Sequence, residues 1–92
     1  NSPVHNIFLG ENLILDEIKI EKLTPEDKDY LSTFTNLESL RMNQCSLTSL
    51  ENLPDCEDLL RLELGENQLT GAELQHLKKY AESLTTLKLA AN

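Results

Sequence analysis

The stretch Leu59 to Leu69, LLRLELGENQL, places leucines at offsets 0, 3, 5 and 10 and an asparagine, Asn67, at offset 8. Its alternation has the period of a short strand with one apolar face, and a strand that short is not stable alone. It needs neighbours of the same pattern, and the chain supplies them. LESLRMNQCSL carries Leu37, Leu40, Met42, Cys45 and Leu47 at the same offsets, and LTTLKLAAN carries Leu84, Leu87, Leu89 and Asn92. A weaker copy, GENLILDEIKI, places Gly10, Leu13, Leu15, Ile18 and Ile20 on the template.

The copies start at residues 10, 37, 59 and 84, at intervals of 27, 22 and 25 residues. These lengths lie in or near the range of about 20–29 residues of leucine-rich repeats. One leucine-rich repeat domain over residues 1–92 is therefore expected: an α/β right-handed solenoid with a curved parallel sheet on its concave side and helices and turns on its convex side. After each strand the backbone turns inward and leaves amides and carbonyls facing the core, where an unpaired polar group costs free energy. An inward asparagine has both donors and an acceptor, so Asn67 and Asn92 are expected to form a structural ladder. Cys45 takes the same place in its copy, where it should be buried and make a weaker rung.

The segments between copies differ. TPEDKDYLSTF offers Thr24 as N-cap, Pro25 at the first helical position and Asp27 three residues after the cap, then Tyr30, Leu31 and Phe34 at helical spacing. TGAELQHLKKYAESL repeats the logic, with Thr70 and Glu73 as a capping box, Leu74, Leu77 and Ala81 on one face, and Lys78 and Lys79 in the last turn. Two helices are predicted there. TSLENLPDCEDLL is short and contains Pro54, so it predicts a turn or a piece of 3₁₀ helix.

At the outward strand positions the template puts Asn12, Ile14 and Asp16; Ser39, Arg41 and Asn43; Arg61, Glu63 and Gly65; and Thr86, Lys88 and Ala90. Their net charge is +1 in a chain of net charge −8, so the acidity is expected on rims, loops and the convex side, including Glu11, Glu17, Glu38 and Glu66. The column Ile14, Arg41, Glu63, Lys88 predicts a solvated charge ladder in which Glu63 lies between Arg41 and Lys88. The candidate partner-binding residues are Asn12, Asp16, Ser39, Arg41, Asn43, Arg61, Glu63, Thr86 and Lys88.

The acidic balance argues against bulk-charge binding to nucleic acid or to an anionic membrane. No apolar run approaches the roughly 20 residues needed to span a bilayer, and NSPVHNIFLG lacks the basic region and cleavage pattern of a signal peptide. A soluble, intracellular protein is expected. Cys45 and Cys56 are too few for a disulfide framework and read as buried thiols. His5 and His76 have no nearby nucleophile or acid in sequence and read as surface histidines. No phosphate loop, His-Glu-x-x-His pattern or nucleophile elbow occurs. A non-enzyme without cofactor or metal is expected.

The passage LTSLENLPDCEDLLRLELGENQLTG, Leu47 to Gly71, resembles the leucine-rich repeat domain of the acidic leucine-rich nuclear phosphoprotein 32 family, with similarity extending from NLILD at Asn12 to Asn92. The resemblance implies a non-catalytic interaction scaffold of nucleus and cytoplasm that binds histones and restrains their acetylation, inhibits a protein phosphatase and adapts RNA-binding proteins for export. Family members have further repeats, a C-terminal cap and an acidic tail, which this sequence does not include, and the family's helical N-terminal cap is not recognisable in NSPVHNIFLG. The alternatives are a structural repeat subunit of a spliceosomal particle and a phosphatase-regulating repeat protein. The uncovered copy ending at Asn92 predicts self-association through that end.

Overall fold

The computed structural model describes residues 11–34 and 36–92. Gly10, the expected start of the first copy, lies outside them, as do His5, Phe8 and the rest of NSPVHNIFLG. Four three-residue strands, β1 (Asn12–Ile14), β2 (Ser39–Arg41), β3 (Arg61–Glu63) and β4 (Thr86–Lys88), form one parallel sheet in chain order. The register aligns Leu13, Leu40, Leu62 and Leu87. This is the alignment that the leucine spacing demands, because a slip of one residue would turn every apolar side chain to the other face. Pairing continues beyond the strands: Leu15 N–H donates to Arg41 O, Met42 N–H to Glu63 O and Leu64 N–H to Lys88 O, each at 2.8 Å. The arrangement fits a leucine-rich-repeat-like α/β fold in general.

Leu13, Leu40 and Leu62 are completely buried, together with Leu15, Met42, Leu64, Leu37 and Leu59. Fully burying a leucine stabilises by about 1.5–3 kcal/mol, so this stack supplies a large part of the packing energy of the described residues. Leu87, on the last strand, is 42% exposed.

Helix α1 (Pro25–Ser32) begins with the expected capping box: Thr24 Oγ1 accepts from Asp27 N–H at 3.1 Å, and Asp27 Oδ2 accepts from Thr24 N–H at 3.0 Å. Leu31 enters the core, and Tyr30 and Phe34 meet edge to face at its margin, with ring centres 5.2 Å apart. The Pro54 segment runs through turns, as expected.

The third connection departs from its expected form. Gly71–Tyr80 is a 3₁₀ helix, and Thr70 makes no side-chain cap. Glu73 does not close a capping box; its Oε1 accepts from the Leu50 N–H of the preceding turn at 3.0 Å. The inward face differs too. Leu77 packs against the core and Tyr80 is 1% exposed, whereas Leu74 is 41% exposed and Ala81 is exposed. Winding with three residues per turn aligns position 80 with 77, where a 3.6-residue period selects 81; this accounts for Tyr80 in place of Ala81 and not for the exposure of Leu74. Tyr80 is fixed by its hydroxyl, which donates to Pro54 O.

Candidate functional site: the outward face of the sheet

Because the leucines point inward, the alternate residues of each strand point outward, and the register sets Asn12, Ser39, Arg61 and Thr86 in one column and Ile14, Arg41, Glu63 and Lys88 in the next. Asp16 and Asn43 follow where the ladder continues, with Glu17 N–H donating to Asn43 O at 2.9 Å. The nine residues expected to form a face are thus brought together.

Five of them, Asp16, Arg41, Asn43, Arg61 and Glu63, form a side-chain network rather than a solvated ladder. Arg41 Nη2 lies 2.9 Å from Asp16 Oδ2, and Arg41 Nε lies 3.6 Å from Glu63 Oε1. Arg61 Nη1 lies 3.1 Å from Glu63 Oε2. Asn43 joins the two acids, its Nδ2 donating to Asp16 Oδ1 and to Glu63 Oε1 at 3.2 Å each, while its backbone N–H donates to Asp16 Oδ1 at 2.9 Å.

Two expectations are corrected here. Glu63 is only 7% exposed, so it is a buried hub and not a solvated rung. Its close cations are Arg41 and Arg61; Lys88, exposed in the next strand, acts on it through charge. Arg61 wins because it stands two residues back on the same strand, where a planar guanidinium can lie along the sheet to meet the carboxylate. The i, i+2 spacing of Arg61 and Glu63 carried that signal. Burial by itself pushes the Glu63 carboxyl up. The hydrogen bonds from Arg61 and Asn43 and the charges of Arg41 and Lys88 together outweigh it and hold the group below its ordinary value of 4.5.

Gly65 completes the network from below. Its N–H donates to Asn43 Oδ1 at 2.7 Å, and a Cβ placed there would meet that oxygen at 3.1 Å and Ala90 O at 3.3 Å. Beside the network lies a groove of about 410 Å³ lined by Asn12, Ile14, Ser39, Arg41, Arg61 and Glu63, with half-buried Ile14 as its apolar element.

The structural ladder stands behind this face. Asn67 Oδ1 accepts from Cys45 N–H at 2.9 Å and Leu47 N–H at 3.1 Å, and its Nδ2 donates to Met42 O and Leu64 O at 2.9 Å and to Gly65 O at 3.2 Å. Asn92 repeats the pattern, accepting from Leu69 N–H at 3.1 Å and donating to Leu64 O at 2.9 Å and Leu89 O at 2.8 Å. Cys45, fully buried, donates its thiol to Leu15 O at 3.0 Å. It has no amide oxygen to offer, and the preceding turn's amides use carbonyls instead: Ile18 N–H donates to Leu15 O and Ile20 N–H to Cys45 O. Burial pushes the Cys45 thiol up; burial and the Asp55 charge, against an opposing Lys79, push Cys56 up to about 11. Neither is a thiolate at neutral pH.

His76 is half-buried, and its Nε2 lies 3.7 Å from Glu73 Oε1, so an acid three residues away in sequence is its neighbour, contrary to expectation. Among the described residues no helix is long and apolar enough to cross a membrane, and no group of three or more His, Cys, Asp or Glu is gathered as a metal site.

Among curated proteins, the chain is 37% identical over 81 residues to the acidic leucine-rich nuclear phosphoprotein 32-related protein of Plasmodium falciparum, covering 87% of this chain and 29% of the relative. It is 37% identical over 75 residues to a histone of Tetrahymena thermophila, covering 82% of this chain and 19% of the relative. The chain thus spans less than a third of the length of either. No family model matches, and no solved structure does.

Proposed function

We propose that this chain is a leucine-rich repeat solenoid acting as a non-catalytic protein-binding scaffold in the nucleus, of the kind formed by the acidic leucine-rich nuclear phosphoproteins. The observation that carries the proposal is the outward sheet face: Asp16, Arg41, Asn43, Arg61 and Glu63 hold one another there, ready to be touched, with the core leucines packed behind them. A pre-ordered surface loses little side-chain freedom on binding, which is what a recognition surface requires. The relatives support the setting, since one is named a nuclear phosphoprotein and the other a histone. Neither name speaks for the cytoplasm, so the proposal is confined to the nucleus.

Histone binding with restraint of acetylation is the finer reading, and phosphatase inhibition and export adapting accompany it. The acidic surroundings suit histones better than the sheet face does, because the face itself carries a net +1. A basic tail would be drawn to rims bearing Glu17 and Glu66, both exposed.

Affinity capture from nuclear extract with the full-length protein, followed by mass spectrometry, tests the reading. Charge reversal at exposed Lys88 together with Arg61→Gln, which neutralises Arg61 without setting a second carboxylate against Glu63, should remove the specific partners while the circular dichroism spectrum stays native. Glu63 is left intact, because reversing a buried hub would disturb the fold as well as the surface. Capture of no nuclear protein, or a measured turnover at ordinary enzyme rates, would overturn the proposal.

A further inference from the structure

The two arginines of the sheet face are not equivalent. Arg41 turns its Nε and Nη2 edge toward its own acids: Nη2 lies 2.9 Å from Asp16 Oδ2, and Nε, buried and without a hydrogen-bond partner among the described residues, lies 3.6 Å from Glu63 Oε1. Arg61 spends only Nη1, on Glu63; among the described residues its Nε and Nη2 have no partner, and its side chain is 47% exposed. The Nε–Nη2 edge is one of the two that grip a carboxylate in bidentate fashion. Here it belongs to a guanidinium already oriented by an almost buried acid. That acid stays ionised, since the hydrogen bonds and charges around it outweigh its burial.

We propose that this edge is a receptor for an Asp or Glu side chain of a protein partner, seated in the groove beside Ile14, with an apolar neighbour of that acid resting on the isoleucine. The inference rests on the scaffold reading above and names its partner chemistry. Three features select the occupant. The face is net positive in a strongly acidic chain, so an acidic segment is drawn to the face and repelled elsewhere, which fixes its location. Asp16 and Glu63 lie close by, so a singly charged carboxylate meets less repulsion than a doubly charged phosphate would. Ser39, next to Arg61 in register, adds a small hydroxyl that leaves the groove open.

The test is direct binding of a fluorescein-labelled peptide of alternating Leu and Glu to the full-length chain, measured by anisotropy at low and physiological salt. Matched peptides carry Gln, Lys or phosphoserine in place of Glu. The Glu peptide should bind best, and loss of the charge-assisted bidentate pair in Arg61→Gln should weaken it about tenfold or more. Ser39→Lys, which adds a cation at the groove, should tighten it, and circular dichroism shows that each variant is folded. Equal binding of the Gln or Lys peptide, or no change with Arg61→Gln and Ser39→Lys, overturns the proposal; tighter binding of the phosphoserine peptide overturns the choice of carboxylate. Because the peptide reports on this edge alone, the proposal can fail while nuclear capture succeeds, and the two results stay separate.

Discussion

Replacing Asn67 by alanine should cost about 3–4 kcal/mol, the middle of a range set by the amides it strands. The side chain is 6% exposed and makes five hydrogen bonds to backbone groups of two turns. Alanine leaves the N–H groups of Cys45 and Leu47 without an acceptor, and a buried donor left unsatisfied costs about 1–3 kcal/mol. Two of the three carbonyls suffer less, since Leu64 O still accepts from Asn92 Nδ2 and Gly65 O from Gln44 N–H; Met42 O loses the Asn67 Nδ2 donor and adds to the upper part of the range. Two stranded amides therefore give about 2–6 kcal/mol, and a water entering the vacated space would bring the loss toward the middle of that range. For a chain of this length, total stability is about 5–14 kcal/mol, so the variant should be severely weakened. Urea unfolding followed by circular dichroism measures the loss. Asn92→Ala is the internal control, because that side chain is exposed and water can replace its bonds; it should cost about 1 kcal/mol or less. If Asn67→Ala lies within about 1 kcal/mol of wild type, or costs no more than Asn92→Ala, the ladder argument is refuted.

Gly65→Ala should destabilise by about 1–2 kcal/mol through the crowding of Asn43 Oδ1 and Ala90 O, whereas Gly71→Ala, where nothing lies within 4 Å, should stay within about 0.5 kcal/mol of wild type in the same unfolding assay. Thr24→Ala should lose about 1 kcal/mol with its capping box, and Thr70→Ala almost nothing, since no side-chain cap exists there. Glu63 is held below its ordinary 4.5, so its ionised form stabilises the fold above that pH, and the contribution disappears as pH falls through the lower folded value. Unfolding free energies measured from neutral to acidic pH should therefore decline less steeply in Glu63→Gln than in the wild type.

The parts legible in the sequence were those fixed by period or by near neighbours. Leucine spacing gave the strand positions, their parallel order and the columns of the outward face, because inward packing of Leu13, Leu40 and Leu62 leaves one register. Thr24, Pro25 and Asp27 gave a helix start because every group in a capping box lies within three residues. The same words at Thr70 and Glu73 misled. Glu73 has two suitors, its own helix end and the Leu50 N–H, and only the stacking of turns brings the second within 3.0 Å.

The sequence by itself determined that equivalent leucines must stack and that their alternate neighbours must share a face, since burying apolar side chains leaves no other arrangement of so regular a period. Tertiary structure decided which charges meet on that face. Glu63 had Arg41, Arg61 and Lys88 within one strand spacing or one pleat, and its ion pairs form with Arg41 and Arg61, with Asn43 bridging from the side to the nearly buried carboxylate. Attraction between ions depends on distance and local dielectric, and neither quantity exists until the turns are packed.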